Sequence, residues 1–236
     1  MTRDRTTARA FGDAAAAMVN EHNVADVLAQ LLADCASLVH ADAVAILVAD
    51  GHDNLSLLSA TSHQATELEL LQIQGSGGPC VEAISTGVHV TVTGDRELEQ
   101  RWEDVGRAIA TAGFHRVDAF PMRWRGRVLG GLNIFRRSAD DVDDETKTLS
   151  QAFTDVATLV VVQSAEIPSD QIAARVHDAI MARAQVEQAK GVLSYVHDID
   201  MGEAYDELRR LAAERGRSLS ETATDVVREQ HEGKNS

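Results

Sequence analysis

Residues 183–193 read Arg-Ala-Gln-Val-Glu-Gln-Ala-Lys-Gly-Val-Leu. A guanidinium, two amides, a carboxylate, an ammonium and a glycine fall within three helical turns, and the apolar residues between them keep a stripe for a core. Arg183 and Lys190 lie seven apart, nearly on one helix face. Glycine inside a helix costs roughly 1 kcal/mol against alanine. Gly191 therefore implies either a close approach to that backbone or a neighbouring helix crossing there. Further on, Arg209, Arg210, Arg215 and Arg217 fall within nine residues. Groups of these types hold phosphates and stack on bases. The competing reading is a solvated helix face with internal pairs such as Glu207 with Arg210 or Asp206 with Arg209.

Other chemistry is sparse. Cys80 follows Gly78-Pro79 at a helix start, where the dipole lowers a thiol pKa, although a buried inert thiol fits the same position. The only other cysteine is Cys35, far away in sequence. Nine histidines are scattered without HxxxH or HxH spacing. Asp140-Asp141 and Asp143-Asp144-Glu145 read as a solvated helix N-terminus, favoured by its dipole, more readily than as a cation site. No nucleophile elbow, P-loop or Cys/His pair points to hydrolysis or phosphoryl transfer, so no catalysis and no metal or cofactor are expected.

The chain has 236 residues and a net charge of -15, so it has no bulk attraction for nucleic acid. No apolar run approaches the ~18 residues of a membrane span, and the N-terminus lacks a signal-peptide core. Reduced thiols and a cytoplasmic location are expected, without membrane association.

The elements that must position these residues are legible from periodicity. Residues 6–20 and 22–39 carry helical spacing. Ala43–Ala49 suits a buried strand, with Leu55–Thr61 as its hairpin partner. Glu67–Ile73 looks helical, Gly75–Gly78 breaks it, and Pro79 suits the first turn of a short helix. Val88–Thr93 alternates as a strand, and Leu98–Ala112 reads as irregular helix. Arg116–Arg123 and Arg127–Arg137 form a hairpin with the turn near Trp124-Arg125-Gly126, and a helix runs from Asp143 to Ala165. Together these imply an α+β domain, an antiparallel sheet flanked by helices, over residues 1–166. Ile167-Pro168-Ser169 is a break, too short for a flexible linker. Residues 167–236 read as an all-α unit of three helices. These are Asp170–Val196; Met201–Arg215, capped by Asp200 and Glu203 and ended by Gly216; and a helix from a Ser218/Glu221 capping box to Gln230.

Residues 22–165 resemble the GAF domain, a small-molecule-sensing fold. The likeness rests on Leu71-Gln-Ile-Gln-Gly-Ser-Gly-Gly-Pro-Cys-Val-Glu-Ala-Ile-Ser-Thr-Gly87, Arg101-Trp102, Ala112-Gly113-Phe114, Ala119-Phe-Pro-Met122 and Arg127-Val-Leu-Gly-Gly-Leu-Asn-Ile-Phe135. It implies a pocket between sheet and covering helices, for which Cys80, Phe114, Phe120, Met122 and Asn133 are the candidate lining residues. Plain core packing is the competing role for the phenylalanines and methionine. The ligand is unidentified, and nothing in the residues supports haem, bilin or a cyclic nucleotide.

Residues 170–230 resemble the ANTAR family of RNA-binding antitermination modules. The landmarks are Arg183, Val186–Leu193, Glu203-Ala-Tyr205, Leu208-Arg-Arg210, Leu219, Ala223 and Val226-Val227. The chain departs from the family at Ser194 and Val196, where a methionine and a basic residue are common. It also departs at Gly216-Arg217-Ser218, where Asn-x-Lys is common. The resemblance implies that Arg183, Gln188, Lys190, Gly191, Arg209, Arg210 and Arg217 contact RNA, in paired hairpins of a nascent transcript whose formation competes with a terminator. Together the two resemblances describe an actinobacterial-type GAF–ANTAR regulator. Net charge of the tail does not favour this: residues 170–236 hold nine Lys/Arg against thirteen Asp/Glu. Local clustering decides binding instead. Paired hairpins call for two tails. The stripe Ile172, Val176, Ala179, Ile180 is accordingly read as a homodimer seam, with packing onto its own sensor domain as the competing reading. The alternative function is a small-molecule or redox sensor whose tail is a protein-interaction module.

Overall fold

A computed structural model describes residues 6–19, 23–49, 54–75, 77–162 and 169–233, with the side chains of 169–176, 178–179 and 231–233 outside that description. The 166/167 boundary and the Ile167-Pro168 break lie outside the described residues.

Two helices open the chain, α1 (Thr7–Val19) and α2 (Val24–Leu38). Asn23 caps α2 by accepting the Ala25 N–H at 2.8 Å. The hairpin β1 (Ala43–Ala49) and β2 (Leu55–Ala60) leads into α3 (His63–Gly75) and α4 (Pro79–Thr86). Strand β3 (Val90–Thr93) is followed by α5 (Asp95–Arg101) and α6 (Glu103–Thr111), which share Trp102 as cap, the irregular break the sequence predicts. Strands β4 (Arg116–Trp124) and β5 (Arg127–Arg136) and helix α7 (Asp144–Val162) complete the unit. The β4–β5 connection is a two-residue turn with Arg125 at φ 48° and Gly126 at φ 81°, the left-handed pair that such turns require.

All neighbouring strands are antiparallel, in the order β2-β1-β5-β4-β3. Helices cover both faces, so β1 is buried on both sides and shows no polar alternation. On one face α1, α2 and α7 pack over Val44, Ile46, Phe120, Met122, Leu132 and Ile134. On the other, α3, α4, α5 and α6 pack over Ala45, Leu47, Val117, Ala119 and Phe135. Gly131 lets α4 press onto the sheet, since a Cβ there would lie 2.8 Å from the Cys80 sulfur.

The tail is three helices: α8 (Ser169–His197), α9 (Met201–Arg215) and α10 (Leu219–Gly233). Asp200 accepts the Gly202 and Glu203 N–H groups at 2.8 Å while Glu203 reaches back to the Asp200 N–H at 3.1 Å, a complete capping box. Gly216 ends α9 in the left-handed conformation. Ser218 and Glu221 form the second box at 3.1 Å each way. Val186, Ala189, Leu193, Ala204, Leu208, Ala223 and Val226 close a small core between the three. Of the supposed dimer stripe, Ile172, Val176 and Ala179 lie outside the described side chains. Ile180 packs against the α1–α2–α7 core of its own chain.

Candidate functional site

The five residues expected to line a sensor pocket do not share one face. Cys80, Phe114 and Asn133 lie on the α3–α4–α6 side. Phe120 and Met122 belong to the opposite core, under α2 and α7. The cause is register: Ala119 pairs with Asn133 and Phe120 with Leu132, so strand alternation sends Phe120 and Met122 through the sheet. Their place in the proposed pocket is corrected accordingly.

Around the remaining three the structure assembles a buried polar cluster. Asn133 is fully buried, and its amide N–H donates to Glu69. Gln72 Nε2 donates to the other Glu69 oxygen at 3.0 Å, and Gln72 Oε1 accepts the Cys80 N–H at 3.0 Å. That last bond satisfies an otherwise orphan donor at the start of α4. Gly78, at φ 132°, is the residue that leaves the Gln72 side chain room to reach it. Asn133 Oδ1 has no hydrogen-bond partner among the described residues. Burial pushes the Glu69 carboxyl up to about 8, against the lowering pull of the two amide donors. Burial also raises the Cys80 thiol, with Glu69 adding to it, so this is not an activated thiolate. Glu69 and Gln72 went unrecognised in the sequence. Their signal was a pair of polar residues, three apart, on the helical face that also carries Ala65 and Leu68.

Behind β4, on the α7 side, Asp118 holds two buried guanidinium groups. Arg116 donates to it at 3.0 and 3.3 Å and Arg136 at 2.7 Å, with Thr91 adding a bond at 2.8 Å. Burial alone would raise the Asp118 carboxyl, but these donors and His89 hold it well below the usual carboxylate range. Two cations around one buried anion make this an anchoring network for β4 and β5.

The tail presents two contrasting faces. Gln188, Gly191 and Tyr195, spaced three and four apart on α8, are exposed, Tyr195 to 81%. Apart from its chain neighbours and its own helix backbone, no heavy atom of the described residues lies within 4 Å of where a Gly191 Cβ would sit. The helix crossing expected at this glycine is therefore absent among the described residues, and internal packing does not account for it. Tyr195 was missed from the sequence because it lies beyond the 183–193 segment that gathers the charged and amide groups.

The other face is turned inward. Lys190 is 1% exposed. Its ammonium donates to Glu187 at 2.9 and 3.2 Å and to His63 Nδ1 at 3.1 Å, and lies 5.5 Å from the Tyr205 ring centroid. Arg183 sits 4.0 Å from Glu187 and is largely covered. Arg210 is paired with Glu207 and Glu214, and Arg217 with Asp225 and Glu221. Arg215 bonds Glu229. Arg209 has no ion pair with another described residue, and the expected pairing with Asp206 does not form. The seven candidate RNA contacts thus divide. Gln188 and Gly191 are open, Arg209 is unpaired, Arg210 and Arg217 are held by acids, and Lys190 and Arg183 face the sensor domain.

Among the described residues no group of three His, Cys, Asp or Glu side chains could hold a metal ion, and no helix is long and apolar enough to cross a membrane.

Comparison with known proteins follows this division. No curated protein matches the chain. The GAF domain of an Acinetobacter phosphoenolpyruvate-protein phosphotransferase superposes with a TM-score of 0.52 at 11% identity, covering 71% of this chain and 99% of that one. Residues 122–287 of a methyl-accepting chemotaxis protein superpose with a TM-score of 0.50 at 16% identity, covering 65% and 94%. At these identities the likeness is one of fold. The GAF domain family model matches residues 23–161, and the ANTAR domain model matches residues 174–227. Both are sensory or regulatory modules, not catalytic ones. The chain therefore belongs to the GAF domain family and carries an ANTAR domain fused behind the GAF unit, a signal-sensing and regulatory architecture.

Proposed function

We propose that the protein is a cytoplasmic, signal-responsive RNA-binding regulator that prevents transcription termination by gripping paired hairpins in nascent RNA. In this reading residues 1–166 sense and residues 167–236 read. The observation that carries it is Gly191. It stands exposed in the interior of a well-formed helix, with open space over its backbone, at the helical cost of roughly 1 kcal/mol relative to alanine. A helix retains such a residue when something outside the chain must come close to its backbone. Flanking Gln188 offers an amide for base edges, and Tyr195 offers a ring for a splayed base, the way single-stranded RNA loops are read. Arg209 is available for phosphate. Lys190 and Arg183 join this set when the tail is released from the sensor, and Arg210 and Arg217 when their acidic partners are displaced.

A small molecule or other signal acts on the GAF unit, and a homodimer presents two readers to two hairpins. No catalytic step is required, because the signal's differential affinity for two arrangements supplies the driving energy. The test is a pull-down of genomic RNA with the intact protein beside its Gly191→Arg variant. The wild type should enrich leader transcripts in which two small hairpins overlap a terminator, and the variant should lose them. Equal recovery by both, or no structured RNA from either, would contradict the reading.

A further inference from the structure

The sensor and reader domains meet along one surface, and its contacts are specific. The Tyr205 hydroxyl donates to the Ala60 carbonyl at the end of β2 at 3.2 Å. The Ser220 N–H, in the first turn of α10, donates to Asp26 Oδ1 on α2 at 3.1 Å. Lys190 donates to His63, the first residue of α3. His63 is oriented for this bond, because its Nε2 lies 3.4 Å from the Glu67 carboxylate. The tautomer with its proton on Nε2 leaves Nδ1 free to accept from the ammonium.

Beside these contacts lies a cleft of about 530 Å³. Arg209 and Arg217 line its reader wall, and Asp26 and Asp42 its sensor wall. The sensor is the acidic partner overall: residues 1–169 hold thirteen Lys/Arg against twenty-four Asp/Glu. Its surface offers the reader what an RNA backbone would offer, carboxylates and hydrogen-bond acceptors facing guanidinium and ammonium groups.

We propose that this surface is a competitive mask: the α2, β2 and α3 face of the sensor occupies the side of the reader that would meet RNA phosphate, so that RNA and sensor exclude one another. This rests on the reading of α8 and α9 as RNA-contacting. It adds the occupant of their face in the closed state and the sensor residues that hold it. A closed form holding about nine-tenths of the molecules lowers apparent RNA affinity about tenfold. Linkage is reciprocal, so bound RNA releases the sensor contacts to the same degree.

The test uses the full chain in two forms, each changed only on the sensor side. One is the double variant Asp26→Ala with His63→Ala. The other is Ala29→Trp, a wedge at a position that lines both voids of the junction. Glu97→Ala, on α5, controls for removal of one acidic charge. The RNA probe is a labelled pool of two short hairpins with randomised loops, retained on a filter at low salt. Hydrogen exchange at the Ser220 amide reports docking.

Both variants should bind the pool about tenfold more tightly than wild type, and Ala29→Trp, which keeps the Asp26 acceptor, should also lose Ser220 protection, while Glu97→Ala matches wild type. Protection lost in Ala29→Trp with unchanged affinity overturns the mask and leaves the RNA reading standing. Protection retained in Ala29→Trp, with affinity unchanged in both variants, means that other contacts hold the domains, which also overturns it. If neither wild type nor variants retain RNA, the RNA reading fails and the mask falls with it. Release of the tail accompanied by capture of a protein in place of RNA belongs to that outcome.

Discussion

Single residues in this protein are governed by how burial meets charge. Glu69 is the clearest case. Its carboxyl is pushed from 4.5 up to about 8 by burial, with Cys80, Gln72 and Asn133 as its neighbours. Between those two values the folded protein keeps a proton that the unfolded chain has lost. Stability is therefore highest below pH 4.5 with respect to this group, and falls as pH rises towards 8, by about 1.4 kcal/mol per pH unit within the window. Urea denaturation across pH 5–8 should show that slope in the wild type and a flatter one in Glu69→Gln. Asp118 behaves in the opposite sense, contributing stability that disappears as pH falls through its depressed pKa. Asp118→Asn leaves the buried Arg116 and Arg136 without their shared anion and should cost about 3–5 kcal/mol, measured in the same way at pH 7. What the sequence could not disclose at this scale was which neighbours a residue would find. Lys190 reads as an exposed base on its own helix, yet its acceptor His63 is 127 positions away. Phe120 and Met122 read as pocket lining on the resemblance alone. Every residue from Arg116 to Met122 is buried, and the side of the sheet each one takes depends on a register that the β4–β5 pairing settles.

At the scale of elements, most of the structure was legible, because local chemistry decides it. Helix α9 runs from Met201 to Arg215, the limits that the Asp200/Glu203 box and Gly216 dictate. Asp200→Ala should lower the stability of the reader by about 1 kcal/mol, seen as earlier loss of the three-helix core in thermal unfolding. Gly191→Ala should do the reverse, stabilising α8 by roughly 1 kcal/mol, since its Cβ would enter empty space. In the proposed function the same change weakens RNA binding, and this pairing of greater stability with weaker binding separates a contact residue from a structural one. Helix α3 was the least well read. It begins four residues earlier than its apolar spacing shows, at His63, because Ser62 supports its first turn by accepting the Ala65 N–H at 3.2 Å. That early start places the acceptor for Lys190 at one end of α3. Six and nine residues on, the same helix carries Glu69 and Gln72 into the sensor interior. The one helix therefore touches both the tail and the sensor interior.

For the whole molecule, the division into a mixed sensor and an all-helical reader follows from the sequence, since strands interleave with helices only up to Arg136 and helices alone follow it. How the two halves sit together did not follow, because the junction is made of contacts distant in sequence: Ala60 with Tyr205, Asp26 with Ser220. The consequence is an acidic chain in which a basic group of the tail, Lys190, is buried against the other unit. The central claim, that α8 and α9 form an RNA-contacting surface despite the net charge of -15, predicts binding that is local and electrostatic. The most direct measurement is retention of the two-hairpin RNA pool by the mask-opened Ala29→Trp chain across a salt series, with Arg209→Ala introduced in the same background. Affinity should fall steadily as salt rises, and loss of Arg209 should make that dependence shallower by about one phosphate contact. Retention that ignores salt, or no retention at the lowest salt, would contradict the account.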